Sequence, residues 1–291
     1  MKPLSGKRIV ITGAGGGLGA AYASHAASLG AAVIVNDIDP QAANGTAETI
    51  VAAGGQAIAH AGDISNWDFA ETLMDSCIDH FGGLDGLINN AGILRPALIA
   101  DITERDVRRM VEINLVGTIA CARAAAIRMR QPGRGSIVNV ASGSQAGDIG
   151  LGAYGATKAG VAAFTFSMAM ELRDSGVRVN ALSPLAETAM AKQNAHLMAM
   201  QSASRDVRYT KLPDPGINAP VACYLLSDEA DQVHGQVVRI AGRQLSFVTH
   251  PTIAAPVIEG DWTFETVAHC FATVLKGRQQ KLGLTFSGQL S

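Results

Sequence analysis

Tyr154-Gly155-Ala156-Thr157-Lys158 places a phenol and an ammonium four residues apart, and on a helix that spacing puts both side chains on one face. A phenol titrates near ~10 and is a poor base at neutral pH. A neighbouring cation favours the phenolate, so Lys158, helped by a positively charged ring in a bound ligand, would let Tyr154 take or return a hydroxyl proton. A second constellation lies earlier in the chain, where Thr12-Gly13-Ala14-Gly15-Gly16-Gly17-Leu18-Gly19 follows a short apolar run and opens an alanine-rich helix. A turn without Cβ atoms lets backbone N–H groups approach a pyrophosphate, and the helix that starts there adds its positive end. The sixth position counted from Gly13 is Leu18, so the pattern is T-G-x-x-x-G-x-G and not G-x-G-x-x-G. Asp37 closes the next apolar run, 18 positions after Gly19, where a carboxylate accepts hydrogen bonds from adenine-ribose hydroxyls and repels a 2′-phosphate. No Lys or Arg lies within residues 13–19 or 36–38, so NAD is the expected cofactor in preference to NADP.

These residues need strands to carry them. Short apolar runs at 8–12, 32–36, 56–60, 86–89, 136–140, 178–182 and 236–240 alternate with segments of helical period at 19–29, 41–53, 67–81, 104–130 and 154–174. Strands separated by single helices and buried on both faces specify a mostly parallel, doubly wound sheet, a three-layer α/β/α Rossmann fold. One domain over residues 1–248 is expected. Residues 185–216 are long for a connection and are expected to form a lid over the substrate, with Met190, Met198 and Met200 as adaptable apolar contacts. Residues 249–291 form an extension with a helical stretch at 263–275, expected to pack on the domain or on a neighbouring subunit.

The 291 residues carry 23 Lys plus Arg against 25 Asp plus Glu, a formal charge of −2 with no basic run, which argues against nucleic acid as a partner. Apolar residues make up 48% and charged residues 16%, a profile that excludes disorder. Cys77, Cys121, Cys223 and Cys270 are far apart, and the seven His show no ligand spacing, so neither disulfides nor a metal site is expected. The N-terminus shows no signal-peptide pattern, and no stretch reads as long and apolar enough to cross a membrane. The expected compartment is cytoplasmic.

Taken in order, the glycine turn, Asp63-Ile64, Asn89-Asn90-Ala91-Gly92, Asn114, Ser142, Tyr154 and Lys158 identify the chain by resemblance as a member of the short-chain dehydrogenase/reductase family, in its subgroup of roughly 250-residue single-domain enzymes. The resemblance runs from residue 6 to about 245. It implies that Gly13, Gly17, Leu18 and Gly19 hold the pyrophosphate, and that Asp63, by its carboxylate, and Ile64, by its backbone, contact the adenine end. It places Asn90, Ala91 and Gly92 on the nicotinamide half, with Asn90 as the main contact there. Ser142 would bond the reacting oxygen, with Ser144 a weaker substitute, and Asn114 would bend its helix and hold a water near Lys158, which also holds the nicotinamide ribose. Pro184, Leu185 and Thr188 would border the carboxamide. Here the chain departs from the family, since Leu185 stands where a glycine is usual and Ala241-Gly242-Arg243 replaces a glycine pair; an altered loop is expected because Leu cannot take positive φ cheaply. Residues 12–22, 33–37 and 89–95 are similar to the hydroxyacyl-CoA dehydrogenase portion of peroxisomal multifunctional β-oxidation enzymes and their bacterial relatives. The implied activity is interconversion of a secondary alcohol and a ketone, on a hydrophobic 3-hydroxyacyl-CoA or a hydroxysteroid, by a homodimer or homotetramer. The alternatives are an NADP-dependent 3-oxoacyl or carbonyl reductase and a catalytically silent dinucleotide-binding regulator.

Overall fold

The computed structural model describes residues 2–187, 212–280 and 282–285. Its first half alternates regularly: β1 (Arg8–Ile11), α1 (Gly17–Ser28), β2 (Ala32–Val35), α2 (Pro40–Ala52), β3 (Gln56–Ala59), α3 (Trp67–Phe81) and β4 (Gly86–Asn89). Then α4 (Glu104–Val111) runs through a π-helical turn (Glu112–Gly117) into α5 (Thr118–Arg130), followed by β5 (Gly135–Val140), a 3₁₀ turn (Gly143–Ala146), α6 (Gly152–Glu171) and β6 (Val177–Leu185). Beyond residue 212 come a 3₁₀ turn (Pro215–Asn218), α7 (Ala219–Leu226), β7 (Val237–Ala241), β8 (Gln244–Val248) and α8 (Phe264–Ala272).

The described strands form one sheet in the order β3-β2-β1-β4-β5-β6-β7-β8, parallel except where β8 returns antiparallel to β7. Residue alternation in β1 explains the layers. Ile9 and Ile11 enter one core with Tyr22 and Ala23 of α1 and Ala222 of α7, while Val10 between them enters the other with Leu73 of α3 and Met129 of α5. Both faces are covered, which is why the strands read as continuous apolar runs and not as alternations. Local signals set the helix ends: Asn66 Oδ1 caps α3 by accepting from Asp68 N at 3.0 Å, and Gly82, at φ 80°, ends it.

Three expectations need correction. β6 does not stop at 182 but pairs with β7 as far as Leu185 opposite Ala241. Leu185 is therefore held extended, and among the described residues no residue other than glycine has positive φ. Ala241-Gly242-Arg243 forms the turn into β8, a strand absent from the sequence reading, with Gly242 at φ 62°. Finally, one segment is long and apolar enough to cross a membrane by length and composition: residues Glu104–Arg130, whose 18-residue window reaches a mean hydropathy of 1.5. Packing accounts for that composition, since Cys121, Ala124, Ala125 and Met129 are buried in the core and Arg123 and Arg128 each reach Glu71 of α3 at 2.6 Å.

All four cysteines are buried and unpaired, and burial pushes the thiols of Cys77, Cys121 and Cys223 up to about 12. The extension begins with His250 stacked 4.3 Å from Phe166 of α6, and its helix α8 buries Cys270. Thr188 and the three methionines of the expected lid lie outside the described residues.

Candidate active site

The C-terminal ends of β1 to β6 open onto a cavity of 530 Å³. It lies where β1 neighbours both β2 and β4, the point at which loops on the two sides of β1 diverge and leave a crevice. Gly13, Gly17, Leu18, Asp37, Asp63, Ile64, Asn90, Ala91, Gly92, Ser142, Tyr154, Lys158, Pro184 and Leu185 all stand on its wall. Gly19 and Asn114 are not on that wall and are buried behind it.

The glycine turn is built for close approach. Gly13 has φ 60°, and a Cβ there would come 2.7 Å from Ala91 Cα. Gly16 faces open space, and α1 begins after it without a side-chain cap, leaving its first N–H groups available to an anion. Thr12, which sequence reasoning passed over as a site residue, locks this turn to β4. Its buried hydroxyl accepts from the N–H groups of Asn90 and Ala91, both at 3.1 Å. Asn90 in turn donates from Nδ2 to the carbonyls of Thr12 at 3.1 Å and Gly13 at 2.9 Å. Both amide protons of Asn90 are thus committed to the turn, so its first role is to prop the cradle.

Asp37 leans over the same turn, Oδ2 accepting from Gly15 N at 2.9 Å and Oδ1 from Asp39 N at 3.1 Å. An ionised carboxylate has about four acceptor positions, so two are left for a diol. At Asp63, burial works to raise the carboxyl pKa, yet hydrogen bonds from Ser65 and Arg109 outweigh it and leave the group below its ordinary value.

At the other end, α6 puts Tyr154 and Lys158 on one face. Ser142 follows β5 and caps the next 3₁₀ turn, its Oγ accepting from Ser144 N at 3.2 Å, and its side chain acts on the Tyr154 phenol in the direction that favours ionisation. Ser144 is engaged elsewhere, donating to Asp148 Oδ2 at 2.7 Å. Lys158 does not touch the phenol. Its Nζ donates to the Val140 carbonyl at 2.6 Å and lies 5.9 Å from the centroid of the Tyr154 ring.

The expected acidification of Tyr154 by Lys158 is therefore corrected. Burial raises the phenol pKa, opposed only by the Ser142 hydrogen bond, and burial also pushes Lys158 down to about 8. Desolvation outweighs charge here because the ammonium's own nearest partner is a carbonyl and not the phenol oxygen.

Asn114 sits in the π-helical turn, where its Oδ1 accepts from Ile93 N at 2.7 Å and its Nδ2 donates to Ile93 O at 2.9 Å and Thr157 Oγ1 at 3.1 Å. Its main-chain carbonyl accepts from Thr118 Oγ1 at 2.8 Å. The irregular turn frees a backbone group for such contacts. Gly92 is squeezed between this residue and the lysine, since a Cβ there would lie 3.2 Å from Asn114 Oδ1 and 3.7 Å from Lys158 Nζ.

A family model described as short chain dehydrogenase matches residues 7–198. The chain belongs to that family. It is 33% identical over 244 residues to the (2S)-[(R)-hydroxy(phenyl)methyl]succinyl-CoA dehydrogenase subunit BbsD of Thauera aromatica, covering 82% of this chain and 96% of that one. A short chain dehydrogenase from Mycobacterium avium superposes with a TM-score of 0.84 at 31% identity, over 98% of this chain and 100% of the other. An NAD+-bound xylitol dehydrogenase superposes with a TM-score of 0.77 at 28% identity, over 83% of this chain and 100% of the other. The protein is thus a short chain dehydrogenase, an oxidoreductase of a family that acts on hydroxyl and keto groups with a nicotinamide dinucleotide. The cradle fits that cofactor: a Cβ-free turn, open N–H groups at the start of α1, and a carboxylate with spare acceptor positions.

Proposed function

We propose that this short chain dehydrogenase uses NAD(H) to interconvert a secondary alcohol and its ketone, on a hydrophobic substrate of the 3-hydroxyacyl-CoA or hydroxysteroid class. The observation that carries the reading is the placing of Ser142, Tyr154 and Lys158 on the wall of the cavity that also holds the glycine turn and Asp37. When bound, the dinucleotide accepts or returns the hydride at the carbon bearing the oxygen. Tyr154 takes the hydroxyl proton in oxidation and gives it back in reduction. Ser142, on the same cavity wall as the phenol, presents a second polar contact to the substrate oxygen and fixes it within reach of that proton. Lys158 places its Nζ beside Gly92, held by the Val140 carbonyl, where it is able to hold the nicotinamide ribose. Asn114 and Thr157 brace the irregular turn behind it.

Support for NAD over NADP comes from Asp37, whose carboxylate reaches over the turn with no cation at residues 36–38 to offset a 2′-phosphate. The substrate class is supported by apolar wall residues Ile93, Leu94, Leu151 and Leu212 and by a relative whose substrate is a CoA thioester. A homodimer or homotetramer is part of the same reading, consistent with the exposure of Leu245 and Phe247 on the edge strand β8. The test is reduction of NAD+ and NADP+ by a panel of hydroxyacyl-CoAs, hydroxysteroids and simple secondary alcohols, with the matching ketones run in reverse. One of the first two classes should turn over, with NAD+ favoured by ~10-fold or more in kcat/KM. Absence of turnover with every class in both directions would overturn the proposal.

A further inference from the structure

The 3₁₀ turn Gly143–Ala146, which Ser142 caps, is gripped by segments far apart in the sequence. From α6, Gly155, the neighbour of Tyr154, fits so closely that a Cβ there would come 2.5 Å from Ser144 O. From the extension, Gly283 and Leu284 reach the two ends of the turn. A Cβ on Gly283 would lie 3.8 Å from Gly147 O, and one on Gly143 would lie 3.4 Å from Leu284 Cδ2. Arg239 of β7 completes the seat, its Nη1 lying 3.0 Å from the same Gly143 position and donating to Ser183 Oγ at 3.1 Å. Ser142 and Ser144 stand on the cavity wall with Gly143 between them, so Leu284 and Arg239 hold the turn without themselves lining the cavity.

The contact is selective, since Leu282 is 97% exposed whereas Leu284 is half-buried. Within the turn, Gln145 N donates to Ser142 O at 3.1 Å and Gly147 N to Ser144 O at 3.0 Å. So short a 3₁₀ segment has poor hydrogen-bond geometry of its own, and Gly143 brings no side chain to anchor it. Its place is therefore set by what packs on it.

We propose that Leu284 is a positioning residue: the C-terminal extension returns to its own domain and seats the turn that presents Ser142 to the substrate oxygen. The inference rests on the role given to Ser142 in the reading above. A turn released on the side of the extension shifts the serine relative to Tyr154, and small displacements at a reacting centre cost rate. The glycine turn that opens α1 lies elsewhere in the cleft, so dinucleotide binding is left as it was.

Two measurements on the full chain test this. Hydrogen exchange read by mass spectrometry, with no substrate present, should show residues 144–147 exchanging ~10-fold or more faster in Leu284→Ala than in the wild-type protein. The same residues should exchange at the wild-type rate in Leu282→Ala. Steady-state kinetics should use the 3-hydroxyacyl-CoA or hydroxysteroid of the panel above that turns over fastest. There kcat should fall by ~10-fold in Leu284→Ala while the NAD+ dissociation constant stays within ~2-fold of wild type. Leu284→Met, which keeps the volume, should restore most of kcat. Unchanged exchange at 144–147 would overturn the proposal, as would faster exchange with kcat unaltered. So would a loss of kcat matched by an equal loss of NAD+ affinity, the mark of a merely structural role. If the wild-type protein turns over no member of the panel, the functional reading falls, and the exchange result, which needs no substrate, still upholds or overturns the seat.

Discussion

The two ends of the cleft treat charge in opposite ways. At the end beside the loop after β3, Asp63 sits partly in water and receives hydrogen bonds from Ser65 and Arg109 that outweigh the burial opposing its ionised form. At the reacting end Tyr154 and Lys158 are desolvated, and burial raises the phenol and lowers the ammonium, so each group is pushed toward its neutral form. Binding needs acceptors whose state does not vary, and catalysis needs groups that change state at little cost. Satisfying a charge produces the first; at the reacting end desolvation brings Lys158 toward the range where it changes state but makes ionising Tyr154 costlier.

The largest break in this contrast should come from Tyr154→Phe, which removes the titrating atom while leaving the ring. Turnover should fall by a factor of ~100 or more with NAD+ affinity nearly intact; near-normal turnover under steady-state assay would refute the acid/base assignment. Lys158→Met probes the other desolvated group through stability. Lys158 is held down to about 8 from its ordinary 10.5, so between those values the unfolded chain binds more protons than the folded one, and stability rises with pH. Below about 8 both forms carry the proton and the cost of the buried charge is fully present. Replacing the lysine should therefore raise the melting temperature at pH 7 relative to pH 10, an effect on the order of 2 kcal/mol. Parallel melting curves for the two proteins from pH 7 to 10 would count against a desolvated ammonium.

At the opposite end, Asp37→Ala combined with Ile38→Arg exchanges a repelling carboxylate for a cation at an exposed position. The kcat/KM ratio of NADP+ to NAD+ should rise by ~10-fold or more, and an unchanged ratio in paired kinetics would remove Asp37 from the ribose site. The smallest expected effect is Thr12→Val, which deletes the acceptor for Asn90 N and Ala91 N. It should cost about 1–2 kcal/mol of stability in denaturant titration and loosen NAD+ binding in proportion; an unaltered midpoint would show that water replaces the hydroxyl.

How much of this was legible in the chain depends on whether the signal is local. The strand–glycine turn–helix unit at residues 8–28 and the four-residue spacing of Tyr154 and Lys158 could be read directly, since the turn's missing Cβ atoms and the helical period are properties of adjacent residues. Thr12 was overlooked because its role exists only across β1 and β4, 78 residues apart in sequence. Arg109 reads as one more cation on a polar helix until the loop after β3 is brought beside it. The edge strand β8 escaped notice because its exposed, mixed pattern lacks the unbroken apolar run that marks the buried strands.

The amino-acid sequence by itself determined the layered α/β architecture, the Cβ-free turn that opens α1 and the identity of the groups able to exchange a proton, because periodicity, absent side chains and functional-group chemistry travel with the residues. Only the tertiary structure decided how those groups titrate and what they touch. Desolvation and hydrogen-bond geometry depend on which distant segments close around a side chain: Val140 takes the lysine proton's contact, Ser142 meets the phenol, and Arg109 meets Asp63.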